Sequence, residues 1–189
     1  MPNIRKIARG IGHDHSLALE LWESKIHEAM ILACLIDDPE LLTEEQIEEW
    51  VRGLDSWDTC DSCCGSLFGK SKHAYSKAVE WSSRPEELVK RAGFALMASL
   101  AVHDKEASDA RFEKFIPIII RESSDGRHYV SNAINWAIRQ IGKRSRRLNR
   151  TATIAAKRLS TMEDKNSRWV GSDAYKELTG KSVLSRLKR

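Results

Sequence analysis

The sequence lacks the long apolar segments that membrane-spanning proteins need. Its longest apolar run, from Ala29 to Ile36, has eight residues, whereas a transmembrane helix needs about 20. The opening stretch "MPNIRKIARG" contains no apolar core of the kind found in secretory signal peptides. We therefore expect a cytoplasmic protein without membrane contact.

Proline and glycine are also scarce, with 4 Pro and 10 Gly in 189 residues. Few turns are therefore expected, and most segments repeat their apolar residues with a helical period. Asp14 is placed to cap one helix, and Thr43 and Gln46 have the spacing of a capping box. The β-branched run "FIPIII" could form a strand, but no neighbouring strand is available, so we predict a helix kinked or begun near Pro117.

The helical segments fall into pairs, which predicts about five helical hairpins. The second helices are centred near residues 30, 62, 94, 134 and 172. A period of roughly 30 to 40 residues is typical of HEAT-like repeats. We predict an all-α fold, an α-α superhelix (solenoid) of HEAT-like helical hairpin repeats. It should form a single domain over residues 1–189, with a basic C-terminal tail at 180–189. An irregular helical bundle is the alternative.

Acidic residues are missing from Gly126 to Met162, a stretch of 37 residues that carries nine bases. By contrast, residues 37 to 61 contain ten acids and one base. A charge run often marks a solvated face, but a basic segment of this length favours contact with nucleic acid.

A second cysteine pair is missing as well. Cys60 and Cys63 form one C-x-x-C, and the other two cysteines, Cys34 and Cys64, supply no second pair at ligand spacing. No thioredoxin-like strand precedes the motif, which argues against redox chemistry. We therefore expect four reduced, buried thiols in the helix packing, with no metal and no cofactor.

The same stretch, "DSWDTCDSCCG", places Trp57 and Asp61 one helical turn apart on one face. Trp57 would partly desolvate the carboxylate, and no partner is supplied locally. Such a group suits a cationic ligand or a cationic transition state. A capping or ion-pair role for Asp61 is the alternative.

Two further residues do not fit the apolar faces of their helices. Trp136 aligns with Arg139 and Lys143 rather than with the centre of the core face. An aromatic ring beside cations suits stacking on sugar or base, although a core-edge Trp covered by Arg139 would look the same. Arg91 lies among small residues and could reach a phosphate or pair with Glu87.

Four segments together resemble the AlkD-like DNA alkylation repair family: "LWES…HEAMILACLID", "LDSWDTCD", "WSSRPEELVKRAGFAL" and "YVSNAINWAIRQIGKR". The similarity covers roughly residues 2 to 180. It implies a HEAT-like superhelix and a DNA glycosylase that excises cationic N3- and N7-alkylated purines without flipping the base. Family members usually carry helices before the position that matches Met1, so the resemblance also implies a shortened N-terminus.

The resemblance assigns roles to the residues already singled out. Asp61 would be the catalytic carboxylate, Trp57 and Trp136 would contact the deoxyribose at the lesion, and Arg91 would hold a phosphate. The remaining cations predicted to bind double-stranded alkylated DNA are Arg139, Lys143, Arg144, Arg146, Arg147 and Arg150. We expect a monomer. The alternatives are a non-catalytic module that binds damaged or branched DNA and a protein–protein scaffold.

Overall fold

The computed structural model describes residues 2 to 187, and within them the chain is helical with no strand. This confirms the predicted all-α class. Of the predicted basic tail, residues 188 and 189 lie outside the described part. The α-helices are α1 (Pro2–Ile11), α2 (His15–Glu23), α3 (His27–Ile36), α4 (Glu44–Arg52), α5 (Trp57–Ser66), α6 (Ala74–Trp81), α7 (Glu87–His103), α8 (Asp109–Glu113), α9 (Phe115–Glu122), α10 (His128–Gly142), α11 (Arg146–Leu159), α12 (Lys165–Leu178) and α13 (Lys181–Leu184).

Local signals in the sequence fix several helix ends. The Asp14 carboxylate accepts a hydrogen bond from Leu17 N at 3.0 Å, and the Thr43 hydroxyl accepts one from Gln46 N at 3.1 Å, as capping predicts. The capping box is only half formed, because the Gln46 amide donates to the Asp37 carboxylate at 2.7 Å instead. The run "FIPIII" is helical, as predicted, and lies in α9.

The helices build two layers. First helices α2, α4, α6, α8 with α9, and α11 lead into second helices α3, α5, α7, α10 and α12. Each second helix packs on the next, in the order α3, α5, α7, α10 and α12. Apolar side chains from both layers form one continuous core. None of the described helices is both long enough and apolar enough to cross a membrane.

Two glycines allow a second helix to lie against the end of the preceding first helix. A Cβ added to Gly93 of α7 would stand 2.5 Å from Ser82 N, and one added to Gly171 of α12 would stand 2.3 Å from Ser160 N. Both glycines are the seventh residue of their helices. The same close contact therefore recurs in two of the helical pairs.

The cysteines correct one prediction. Cys34 of α3 and Cys63 of α5 form a disulfide, with their Cα atoms 5.0 Å apart, so the expectation of four free thiols was wrong for this pair. Sequence spacing did not reveal the pair because 29 residues separate the partners. Cys60 and Cys64 are free and buried, as predicted. Their thiols face Leu88 O and Ala92 O of α7, at 3.8 and 3.6 Å.

Candidate active site and nucleic-acid interface

Helix α5 places Trp57 and Asp61 in one open cleft of about 430 Å³, which we call the Asp61 cleft. Trp57 begins the helix and leaves 51% of its surface exposed. Asp61 follows one turn later, with 25% of its side chain exposed. The whole lining comprises Arg5, Leu35, Trp57, Asp58, Asp61, Ser62, Gly65, Ser66 and His103. The sequence therefore correctly placed the two residues on one accessible face.

Asp61 has a partner that the sequence did not supply locally. Arg91 of α7 donates from Nε and Nη2 to the two carboxylate oxygens, at 3.1 and 2.8 Å. Its Nη1 donates to Tyr129 O of α10 at 2.8 Å. Arg91 is only 6% exposed, and its guanidinium carbon lies 6.0 Å from the Trp57 ring centroid. The described ion pairs include none between Arg91 and Glu87, which was the alternative partner.

Opposing effects act on the Asp61 carboxyl group. Burial raises its pKa, the hydrogen bonds and positive charge of Arg91 lower it, and the charge of Asp58 raises it again. The net result is a pKa above the ordinary aspartate value, because loss of solvent outweighs the ion pair. Arg91 thus fixes the orientation of the carboxylate and limits the rise in its pKa.

Trp136 lies on α10, two helices away from Trp57. It is half-buried and packs against the core. In the amide orientation that satisfies both donors, the Gln140 oxygen accepts from Trp136 Nε1 at 3.0 Å and from Lys143 Nζ at 3.3 Å. Trp136 is absent from the lining of the Asp61 cleft. Arg91 links the two regions, since it bonds to both α5 and α10.

Three of the six predicted DNA-binding cations between residues 139 and 150 have acidic partners from distant helices. Arg139 and Lys143 both bind the Glu177 carboxylate, at 2.6 and 2.7 Å. Arg147 binds Glu113 at 2.7 Å. The acid-free segment is therefore less positive in the folded protein than in the sequence, because neighbouring helices supply the missing acids.

Arg144, Arg146 and Arg150 have other environments. Arg144 donates to Ala107 O at 2.6 Å and to Ala101 O at 3.2 Å, and it lies over the Phe112 ring at 4.3 Å. Arg146 and Arg150 are exposed on α11, a first helix. Arg144 is therefore engaged inside the protein, and Arg146 and Arg150 lie in the layer of first helices, whereas Arg91 lies on a second helix.

The sequence reading missed a contact that fixes the start of α5. His27 at the start of α3 bonds to the Asp58 carboxylate through Nε2 at 3.0 Å. Partial burial lowers the pKa of His27, but the hydrogen bond and charge of Asp58 outweigh it, so the pKa is raised. The partners are 31 positions apart in the sequence, so no local pattern could reveal this contact. Arg5 and His103, which line the Asp61 cleft from α1 and α7, were missed for the same reason.

Comparison with known proteins shows the family and the fold of the chain. Residues 1–178 match the family model of the DNA alkylation repair enzymes. The chain belongs to this family. An uncharacterized protein of Listeria innocua serovar 6a is 25% identical over 135 residues, which cover 70% of this chain and 60% of that protein. The chain thus matches less than two thirds of the length of this curated relative.

A solved structure shares the fold. It is described as "a new family of proteins related to the HEAT-like repeat DNA glycosylases with affinity for branched DNA structures". The match covers 100% of this chain and 83% of that one, with a TM-score of 0.76 and 22% identity. The structural match confirms the HEAT-like solenoid that the sequence predicts for this member of the DNA alkylation repair family.

Proposed function

We propose that the protein is a DNA glycosylase that hydrolyses the N-glycosidic bond of cationic N3- and N7-alkylated purines. The observation that supports this most is the partly buried Asp61 carboxylate. It is held by two hydrogen bonds from Arg91 and lies beside the exposed Trp57 ring in an open cleft. Membership of the DNA alkylation repair family supports the same substrate class.

The proposed chemistry follows from the charge of the lesion. An N7- or N3-alkylated purine carries a positive charge and is already a good leaving group. Breaking its bond to C1′ develops oxocarbenium character, which a fixed carboxylate stabilises while it orients the attacking water. Asp61 would supply that carboxylate, and the face of Trp57 would add cation–π stabilisation. Trp136 would contact the strand from α10.

The substrate range follows from the same argument. A neutral adduct such as O6-methylguanine lacks the leaving-group advantage and should not be released. The resemblance to the AlkD-like family supports excision without base flipping. No metal or other cofactor is needed, because the substrate supplies the leaving group and Asp61 supplies the carboxylate.

The proposed glycosylase activity is tested by measuring the release of free base from damaged DNA. Duplex DNA containing N7-methylguanine is incubated with the unmodified protein, and free N7-methylguanine is measured. We expect Asp61→Asn to slow release by about 100-fold or more, as for other losses of a fixed electrostatic stabiliser. Asp38→Asn is the matched control, because Asp38 lies in the α3–α4 loop outside the cleft lining. Equal release by Asp61→Asn and unmodified protein would refute the assignment.

A non-catalytic DNA-binding module is the second candidate. The ion pair between Arg91 and Asp61 favours this alternative. Because Arg91 already neutralises the Asp61 carboxylate, less negative charge is left to stabilise a cationic transition state. The solved structure with this fold is described as having affinity for branched DNA. Salt-dependent binding of the unmodified protein without release of base would favour this module.

A further inference from the structure

A second cavity, of about 600 Å³, lies between the C-terminal ends of α7 and α10. The last turn of α7 contributes to this cavity, through Ala101 and Val102, and to the Asp61 cleft. His103 lines the Asp61 cleft, and Lys105, two residues later, lines the second cavity. Its charged lining consists of Lys105, Lys143, Arg144, Arg186 and Asp109. Four cations therefore face one carboxylate.

Arg144 makes the base of this cavity suitable for an anion. Helix C-terminal carbonyls repel negative charge, but Arg144 donates to Ala101 O near the end of α7 and to Ala107 O. The single carboxylate, Asp109, accepts a hydrogen bond from the Ser145 hydroxyl at 2.6 Å. Arg144 therefore offsets the carbonyls, whereas Asp109 is hydrogen-bonded but keeps its single negative charge against the four cations.

Lys105 and Arg186 are the cations still available to a ligand. Both are exposed, and neither side chain forms an ion pair or hydrogen bond within residues 2 to 187. Lys143 contributes less, since Glu177 holds its ammonium group at 2.7 Å. Ser108 and Gln140 complete the polar lining with a hydroxyl and an amide. Cations combined with neutral donors suit a phosphate group.

We propose that this cavity binds a backbone phosphate of the DNA whose lesion lies in the Asp61 cleft. The inference rests on the proposed function. Arg91, the phosphate ligand implied by family resemblance, directs its hydrogen bonds to Asp61 and Tyr129. Other cations are therefore needed to neutralise the strand along its length. Lys105 and Arg186 are the free cations of the cavity that shares a helical turn with the Asp61 cleft.

The test measures binding of an undamaged duplex by fluorescence anisotropy over a range of salt concentrations. Each cation that contacts a phosphate adds about 0.9 to the slope of log affinity against log salt. We expect Lys105→Gln with Arg186→Gln to lower the magnitude of that slope by about 1.8 and to weaken binding about tenfold at low salt.

The matched control removes two positive charges elsewhere. Lys157→Gln with Arg158→Gln alters the end of α11, and neither residue lines either cavity. The proposed phosphate site would be overturned if the slope of log affinity against log salt were unchanged in the Lys105 and Arg186 variant. It would also be overturned if the control variant reduced that slope by the same amount. No DNA binding by unmodified protein would overturn it together with the proposed function. Binding without base release would refute only the glycosylase.

Discussion

At the scale of single residues, the contact between Asp61 and Arg91 has two effects on the proposed chemistry. Its two hydrogen bonds, at 3.1 and 2.8 Å, hold the carboxylate in one orientation. It also opposes the rise in the pKa of Asp61 that burial causes. Arg91 is therefore a positioning residue, and its effect on activity should depend on pH.

Replacing Arg91 should shift the acid limb of the pH profile. Asp61 must be ionised to stabilise an oxocarbenium ion, and Arg91 lowers its pKa, so Arg91→Gln should raise the pKa of Asp61 further. Single-turnover excision should then fall off at a higher pH than in the unmodified protein. Arg91→Lys keeps the positive charge and should shift the limb less.

Arg121→Gln serves as the control, because Arg121 is exposed and binds Glu122 away from the Asp61 cleft. Circular dichroism establishes that each variant is folded before its profile is measured. If Arg91→Gln lowered the rate equally at every pH, Arg91 would not act through the ionisation of Asp61.

Some of the residue contacts around the Asp61 cleft could be predicted from the sequence, and others could not. Trp57 and Asp61 are one turn apart, and helical geometry alone places them on one face. Arg91 lies 30 residues from Asp61, and His27 lies 31 residues from Asp58. Their pairing depends on which helices become neighbours, so local spacing does not reveal it.

At the scale of helices, the Cys34–Cys63 disulfide joins α3 to α5, the helix that carries Trp57 and Asp61. The expectation that these thiols are reduced followed from the predicted cytoplasmic location, where disulfides are rare. That location remains a prediction, and the redox state of the pair can be measured directly.

Reduction of the disulfide should lower the thermal stability. A bridge across 29 residues stabilises by about 3.6 kcal/mol through loss of unfolded-state entropy, which corresponds to roughly 7–14 °C in a chain of this size. Thermal melts with and without reductant test this. The double variant Cys34→Ala with Cys63→Ala should melt at one temperature in both conditions. Equal midpoints for the unmodified protein would contradict the prediction.

The close contact at Gly93 gives a second prediction at this scale. An added methyl group would meet backbone atoms of Trp81 and Ser82 at 2.9 and 2.5 Å, so α7 would have to move away from the end of α6. Gly93→Ala should therefore cost about 3 kcal/mol, measured by urea denaturation. Gly10→Ala in α1, with nothing within 4 Å of the new methyl, should be neutral or slightly stabilising. A neutral Gly93→Ala would show that the helices have room to adjust.

At the scale of the whole molecule, the periodicity of the sequence was a better guide than its charge. The fold class follows from repeated helical segments, because each helix must bury its apolar face on a neighbour. The charge pattern was less reliable, since Glu177 and Glu113 neutralise cations that stand far away in the sequence. Free positive charge in a solenoid depends on which helices become neighbours.

The bonds of Arg91 also have a mechanical consequence. The side chain lies on α7 and bonds to α5 and α10 at once, while a covalent bridge joins α5 to α3. Separating these helices would break the hydrogen bonds of Arg91 to Asp61 and Tyr129, and α3 could not leave α5 without breaking a covalent bond. Four consecutive second helices are therefore coupled through one side chain and one disulfide, so a displacement of α10 is passed on to the helix that carries Asp61.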